Sequence, residues 1–559
     1  MRTTTLLLCA GLLFFSNCNT KEKRMEQELR IFIQDFEKEL CPLTKSCNLA
    51  YWNAAISGKE EEYKKAEELQ LKLVKFFADK EKFLQLKKIK EAGVIQDSLL
   101  QRQLTILYNQ FMLSLEDTAK LNEIVRAEVA IEQKYSTFRA EIKGKKYSDN
   151  DIDKILKEST DEATLKEAWT AHKSIGALVA DDVRALVKKR NAIARTLGFK
   201  NYHQMHLSQG EQDPEQIEKI FDELNELTLQ SFNSIKVEID SFLGKRFSIN
   251  PADLKPWHYQ NRFFQESPKI HKTDLDKYFE GKNLEELTKT YYNSIGLNID
   301  DLLSNSDLYE KPGKNQHAFC MDVDNEGDVR VLCNLKSNAK WMNTILHEFG
   351  HALYDKHIDR SLPYTLRDPA HTFTTEAIAM MFGRMASNPQ WLQDIAGIND
   401  AEKKKIAADC YESLRMEQLV FSRWAQVMYR FEKSMYADPD QDLNQLWWTL
   451  VEKYQGIRKP EGRNEPDWAS KVHIATAPCY YHNYLLGELL ASQLHYYIVT
   501  FVLHSDEFRN QSYFNHPEVG KYLKDKVFLP GSRYEWPEMI KRATGEPLTA
   551  KYYARQFVQ

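Results

Sequence analysis

From Met25 to about Phe247, apolar residues recur at three- and four-residue spacing through long charged runs with few glycines or prolines, a period that belongs to α-helices. The run KEEEYKKAEELQLKLVKFFADKEKFLQLKKIKEAG from Lys59 is typical, and its charge reads as a solvated helix face. Breaks fall near Gly58, Gly93, the polar KGKKYSDND from Lys143, and Asp213–Pro214, which reads as a helix start. A chain that begins this way is committed to a mainly α fold. With 42% hydrophobic residues over 559 it can bury a large core, and no repeat or long low-complexity linker separates autonomous domains, so 19–559 reads as one unit. The formal net charge of -5 carries no basic excess, which argues against a nucleic-acid partner.

Between Asn250 and Asn315 the pattern loosens, with one helix from about Leu284 to Ile295. The period then switches to two. HAFCMDV and DVRVLCNL alternate around Asn325, Glu326 and Gly327, a β-hairpin signal whose edge suits an extended peptide. Next comes WMNTILHEFGHALY, from Trp341 to Tyr354, where His347 and His351 lie four apart in a helical pattern and so share one face. Two imidazoles placed this way can grip one zinc ion, with Glu348 beside the first to take a proton from a water that the metal polarises. Two histidines need a third protein ligand. Glu376, near the start of the helix TTEAIAMMFGRMA, is the candidate, with service to the helix dipole as the alternative.

Further on, SKVHIATAP reads as extended, which puts Lys471 and His473 on one face. CYYHNYLLGELL then starts a helix on which Tyr481 and Tyr484, or Tyr480 and Tyr484, project together. One Lys, one His and two Tyr converging in so short a span point to a binding or catalytic role.

The N-terminus, MRTTTLLLCAGLLFFSNC, has a short positive start and an apolar run from Leu6 to Phe15 that is too short to span a membrane. Residues 1–18 therefore read as an export signal. It is similar to a lipoprotein signal that ends in a lipidated Cys18 and leaves the protein extracytoplasmic, periplasmic or on the outer surface, attached to a membrane, with ordinary secretion and a retained anchor as the alternatives. Cys41 and Cys47 flank a Pro-containing loop and Cys320 and Cys333 a hairpin, so each pair is close enough to bridge, with free buried thiols as the equal alternative.

Taken in order, LKEAWTAHKSIG from Leu165, ALVKKRNAIARTLGFKNYHQM, HAFCMD, HEFGH, TTEAIA, WWTLVEKYQG, SKVHI with its tyrosines, and WPEMIKRATGEP resemble the angiotensin-converting enzyme family of zinc peptidyl-dipeptidases over nearly the whole mature chain. The resemblance implies a mainly α fold, two helical lobes enclosing a deep active-site channel, with a very small β-sheet next to the zinc helix. It implies one zinc per chain on His347, His351 and Glu376, and Glu348 as general base and then acid. His473 and Tyr484 would stabilise the oxyanion. His317, which precedes His347 by the family's spacing, and the backbone of Ala318 would hold the substrate main chain. Lys471, Tyr481 and, in PWHYQ, Gln260 would grip the free C-terminus of an oligopeptide, so that dipeptides are released.

Asn483 and Val451 stand where animal members carry chloride-binding arginines, which argues against chloride activation. Met380 replaces an acidic residue, leaving Asp355 as a candidate partner for a zinc histidine. An extra residue between His351 and Glu376 suits the related thimet-type oligopeptidases, which cut internally. That activity and a non-catalytic peptide-binding lipoprotein are the alternatives, and monomer and dimer are both compatible with the sequence.

Overall fold

The structure is a computed structural model that describes the backbone of residues 5–112, 118–271 and 273–558 and the side chains of 22–112, 120–271 and 273–558. The side chains of the export signal, Cys18 among them, lie outside the described residues. Helices α1 (Thr5–Ser57), α2 (Glu60–Phe77), α3 (Lys80–Ala92), α4 (Ser98–Phe111) and α5 (Thr118–Thr137) precede an antiparallel hairpin of β1 (Ala140–Ile142) and β2 (Lys145–Tyr147). Then come α6 (Asp149–Glu158), α7 (Glu162–Thr196), α8 (Tyr202–Gln209) and α9 (Pro214–Phe247). An irregular stretch leads to α10 (Leu284–Ser294) and α11 (Asp300–Asn305), and to a second hairpin, β3 (Phe319–Asp322) with β4 (Val329–Leu332). The remainder is α12 (Ala339–Lys356), α13 (Thr372–Gly383), α14 (Pro389–Asp394), α15 (Asp400–Ala437), α16 (Leu443–Gln455), α17 (His473–Thr476), α18 (His482–Tyr497), α19 (Pro517–Leu523), α20 (Trp536–Thr544) and α21 (Lys551–Phe557).

Local chemistry sets the boundaries. Asp213 caps α9 by accepting from the Glu215 and Gln216 N–H groups, and Pro214 takes the first helical position, where its missing N–H costs nothing. Gly58 ends the α1 region with φ +67°, and a Cβ there would meet the Gly313 carbonyl oxygen at 2.1 Å, so glycine is required twice over. The apolar core runs continuously through the body from α5 to α21. Leu29, Phe36, Leu86, Leu107 and Phe111 from α1, α3 and α4 form a separate cluster that meets the body at Tyr364. The N-terminal helices are therefore a layer with its own core, laid over the rest.

Four local expectations are corrected. Cys41 and Cys47 do not flank a loop: α1 continues through Pro42, and six helical residues set them about 9 Å apart along the axis, beyond disulfide reach. Cys320 opposes Val331 across the hairpin, so Cys333 is its diagonal neighbour, and all six cysteines with described side chains are free. The segment SKVHIATAP, 470–478, is not one extended stretch. A 3₁₀ turn at Asp467–Ser470 and the single turn α17 leave only Lys471 in β conformation. The polar break at Lys143 is the tip of the β1–β2 hairpin, a strand pair too short to show period-two alternation.

Candidate active site

Helix α12 begins at Asn338, whose side chain accepts from the Trp341 N–H, and it carries His347, Glu348 and His351 into a cavity of about 770 Å³. Helix α13 lies across it. The two backbones approach so closely that a Cβ on Gly350 would sit 2.8 Å from the Ala379 Cα. This contact delivers Glu376 to the histidines, and Gly487 lets α18 close on the other side, its would-be Cβ only 3.4 Å from the Glu376 Cβ. Because α13 starts at Thr372, Glu376 lies beyond the first turn, where the helix dipole has faded, so the dipole alternative falls away.

The donor atoms fit zinc. His347 Nε2 and His351 Nε2 are 3.2 Å apart, and the Glu376 Oε2 stands 3.7 and 3.9 Å from them. Tetrahedral zinc with bonds of about 2.0–2.1 Å sets its ligand atoms about 3.3 Å apart. Burial pushes His347 to about 4, and burial together with His347 pushes His351 to about 3, so both imidazoles are neutral and able to ligate near pH 7. The same burial raises Glu376 to about 7, and burial with the Glu376 charge raises Glu348 to about 8 against a backbone hydrogen bond from Cys320. Carboxyls raised in this way lack a counter-charge, which a divalent cation supplies. His351 Nδ1 pairs with the Thr375 hydroxyl at 2.7 Å. Thr375, not Asp355, is thus the partner that orients a ligand histidine. Asp355 lies instead with Asp322 and Asp368 on the cavity wall, all three raised chiefly by burial, with Arg360 as their cation.

Lys471 and His473 line a second cavity of about 400 Å³. A run of rings joins it to the metal triad: His473 to Tyr481 at 5.3 Å between centroids and Tyr481 to Tyr484 at 5.4 Å, with the Glu376 charge raising the Tyr484 hydroxyl beyond what burial does. Tyr480 also stacks edge-on to Tyr484 and feels Glu376, so both tyrosine pairings expected from the sequence occur. Lys471 is buried among Phe263, Trp424 and Tyr481, each ring 5.3 Å from its ammonium. Burial and then the nearby Arg262 pull it down to about 7, with Glu266 opposing. A buried ammonium beside a guanidinium favours an anion in the adjoining cavity.

The model of one protein family, described as angiotensin-converting enzyme, matches residues 23–553. The chain belongs to the angiotensin-converting enzyme family. It is 22% identical to the angiotensin-converting enzyme of Haematobia irritans exigua over an alignment 603 positions long, covering 100% of this chain and 96% of that protein. The rat and mouse angiotensin-converting enzymes match at 23% and 22%, over 71% and 79% of this chain but only 32% and 34% of their own length. The chain thus spans about a third of those two relatives.

Some residues aligned by the family resemblance do not meet. Gln260 has φ +58°, donates its side-chain amide to the Lys157 carbonyl at 3.4 Å and is not among the residues that line the Lys471 cavity. Gln265 is the glutamine that meets Lys471, its Oε1 accepting from the ammonium at 2.7 Å. The two glutamines stand five apart in one irregular loop without periodicity, so spacing did not discriminate between them. His317 is exposed while Ala318 lines the metal cavity. Where the family's arginines would stand, Asn483 accepts from Gln212 at 2.7 Å, and Gln212 in turn pairs with His482, which burial keeps neutral. Val451 is packed in the core.

Proposed function

We propose that the chain is a zinc metallopeptidase that releases C-terminal dipeptides from oligopeptides. The observation that carries this reading is the pairing of the His347–His351–Glu376 donor set with a buried Lys471 across one run of tyrosines. The first supplies hydrolysis and the second measures the distance to a free C-terminus.

Zinc, when bound, supplies Lewis acidity that polarises the scissile carbonyl and a water. Glu348 accepts the proton of the attacking water and returns it to the leaving amine, its carboxylate steadied by the Cys320 N–H. Tyr484, kept protonated by burial, donates to the carbonyl oxygen as charge develops there, with His473 alongside. Lys471, held by Gln265, and Tyr481 grip the terminal carboxylate. The Ala318 backbone, on the neighbouring hairpin edge, pairs with the extended main chain. Neutral surroundings at Asn483 support activity without chloride. The lipoprotein-type pattern ending at Cys18 supports an exported, membrane-attached enzyme.

Mass spectrometry of products from a peptide library tests the proposal. Dipeptides should appear only from peptides with free C-termini and vanish with a chelator. Equal cleavage of C-terminal amides, with internal products, would refute it in favour of a thimet-type activity. Glu348→Gln should keep zinc and lose turnover.

A further inference from the structure

The metal cavity adjoins a chamber of about 530 Å³ between α2 and α5, over a floor of α7 and α8, and Leu73, Phe77 and Gln110 line both. The chamber is walled by apolar side chains, among them Val74, Leu121, Ile124, Val125 and Met205. Its charged members neutralise each other, Arg190 being paired with Glu128 at 2.7 Å and with the Ala475 carbonyl at 2.7 Å. An apolar hollow of this size beside the cleft presents a binding surface.

Two helices fix which part of a substrate could reach it. On α7, His172 and Ile175 border the Lys471 cavity, whereas Arg190 and Ile193 border the chamber. At 1.5 Å per residue, Ile175 and Ile193 are about 27 Å apart. Helix α5 repeats the division, with Tyr135 at the Lys471 cavity and Leu121 at the chamber. A peptide whose C-terminus is held at Lys471 and whose scissile bond lies at the triad has only its N-terminal part left to enter. At about 3.3 Å per extended residue, a chain of roughly eight residues reaches the far wall of the chamber.

From this adjacency we propose that the chamber binds apolar side chains of the substrate well upstream of the scissile bond, making the enzyme selective for longer peptides with apolar N-terminal segments. The proposal rests on the dipeptidase reading above. Val74 and Val125 are 56% and 54% exposed, so charged replacements there alter the chamber without touching the core.

The test uses two decapeptides with free C-termini and the same last four residues, one with Leu and Phe upstream and the other with Ser and Gln, together with the shared tetrapeptide. Calorimetry on the zinc-loaded Glu348→Gln protein measures binding apart from turnover. The apolar decapeptide should bind about tenfold or more tightly than the polar one. Val74→Asp with Val125→Asp should abolish that advantage and leave the tetrapeptide unchanged. Equal binding of the two decapeptides, or an advantage that survives the double substitution, overturns the proposal. Cleavage of the tetrapeptide by the unmodified enzyme is scored separately, and its failure would overturn the dipeptidase reading instead.

Discussion

Gly350, the glycine of HEFGH, offers a sharp test of how the metal centre is assembled. An added Cβ would lie 2.8 Å from the Ala379 Cα and 3.2 Å from its nitrogen, and ordinary contact begins near 3.4 Å. Both opposing atoms are backbone, so no rotamer can relieve the clash, and α12 and α13 must separate by about 0.6 Å in a Gly350→Ala variant. The histidines ride on one helix and Glu376 on the other, at 3.7 and 3.9 Å. Metal sites tolerate about 0.2 Å in ligand distance, so zinc affinity should fall at least about tenfold. Overall stability should change less. Alanine recovers about 1 kcal/mol of helix propensity against about 1–3 kcal/mol of overpacking, leaving the variant folded. Competition for zinc against a chromophoric chelator reads the affinity, and thermal melting of metal-free protein reads the fold. Wild-type zinc affinity in Gly350→Ala would refute the idea that this helix contact sets the donor geometry.

Three further outcomes follow from the same geometry. Thr375→Val removes the hydroxyl on His351 Nδ1 and should weaken zinc binding about 10- to 100-fold in the chelator assay, with the fold intact. Lys471, with its pKa near 7, is charged below that pH and loses its charge as pH rises through it, so kcat/KM for free-acid peptides should fall on the alkaline side. Lys471→Arg should remove that limb, and its persistence would exclude Lys471 as its source. Burial depresses His203 to about 3 and His206 to about 4, below the unfolded value near 6.5. The unfolded chain therefore binds more protons in between, so their contribution is complete above about pH 6.5 and is lost as pH falls toward 4. Urea midpoints should therefore decline less across that window in a His203→Gln, His206→Gln variant than in the unmodified protein, and an equal decline in both would contradict the assignment to these two imidazoles.

The sequence alone determined what is local. Helical period, Asp213 before Pro214, the hairpin around Gly327 and the spacing of His347 and His351 each depend on residues a few positions apart, and all appear where the pattern puts them. Motif order along the chain was enough to indicate the family. Only the tertiary structure decided between residues whose partners are distant. It selected Gln265 over Gln260 for Lys471, from the far side of the chain, and Thr375 over Asp355 for His351, because α13 crosses α12 where Gly350 permits. The apolar chamber was illegible for the same reason. Val74, Val125 and Met205 read singly as ordinary helix positions, and only the packing of α2 and α5 above α7 and α8 turns them into the walls of one hollow. Periodicity reports which face of a helix is apolar; what that face meets is set by contacts that carry no mark in the local sequence.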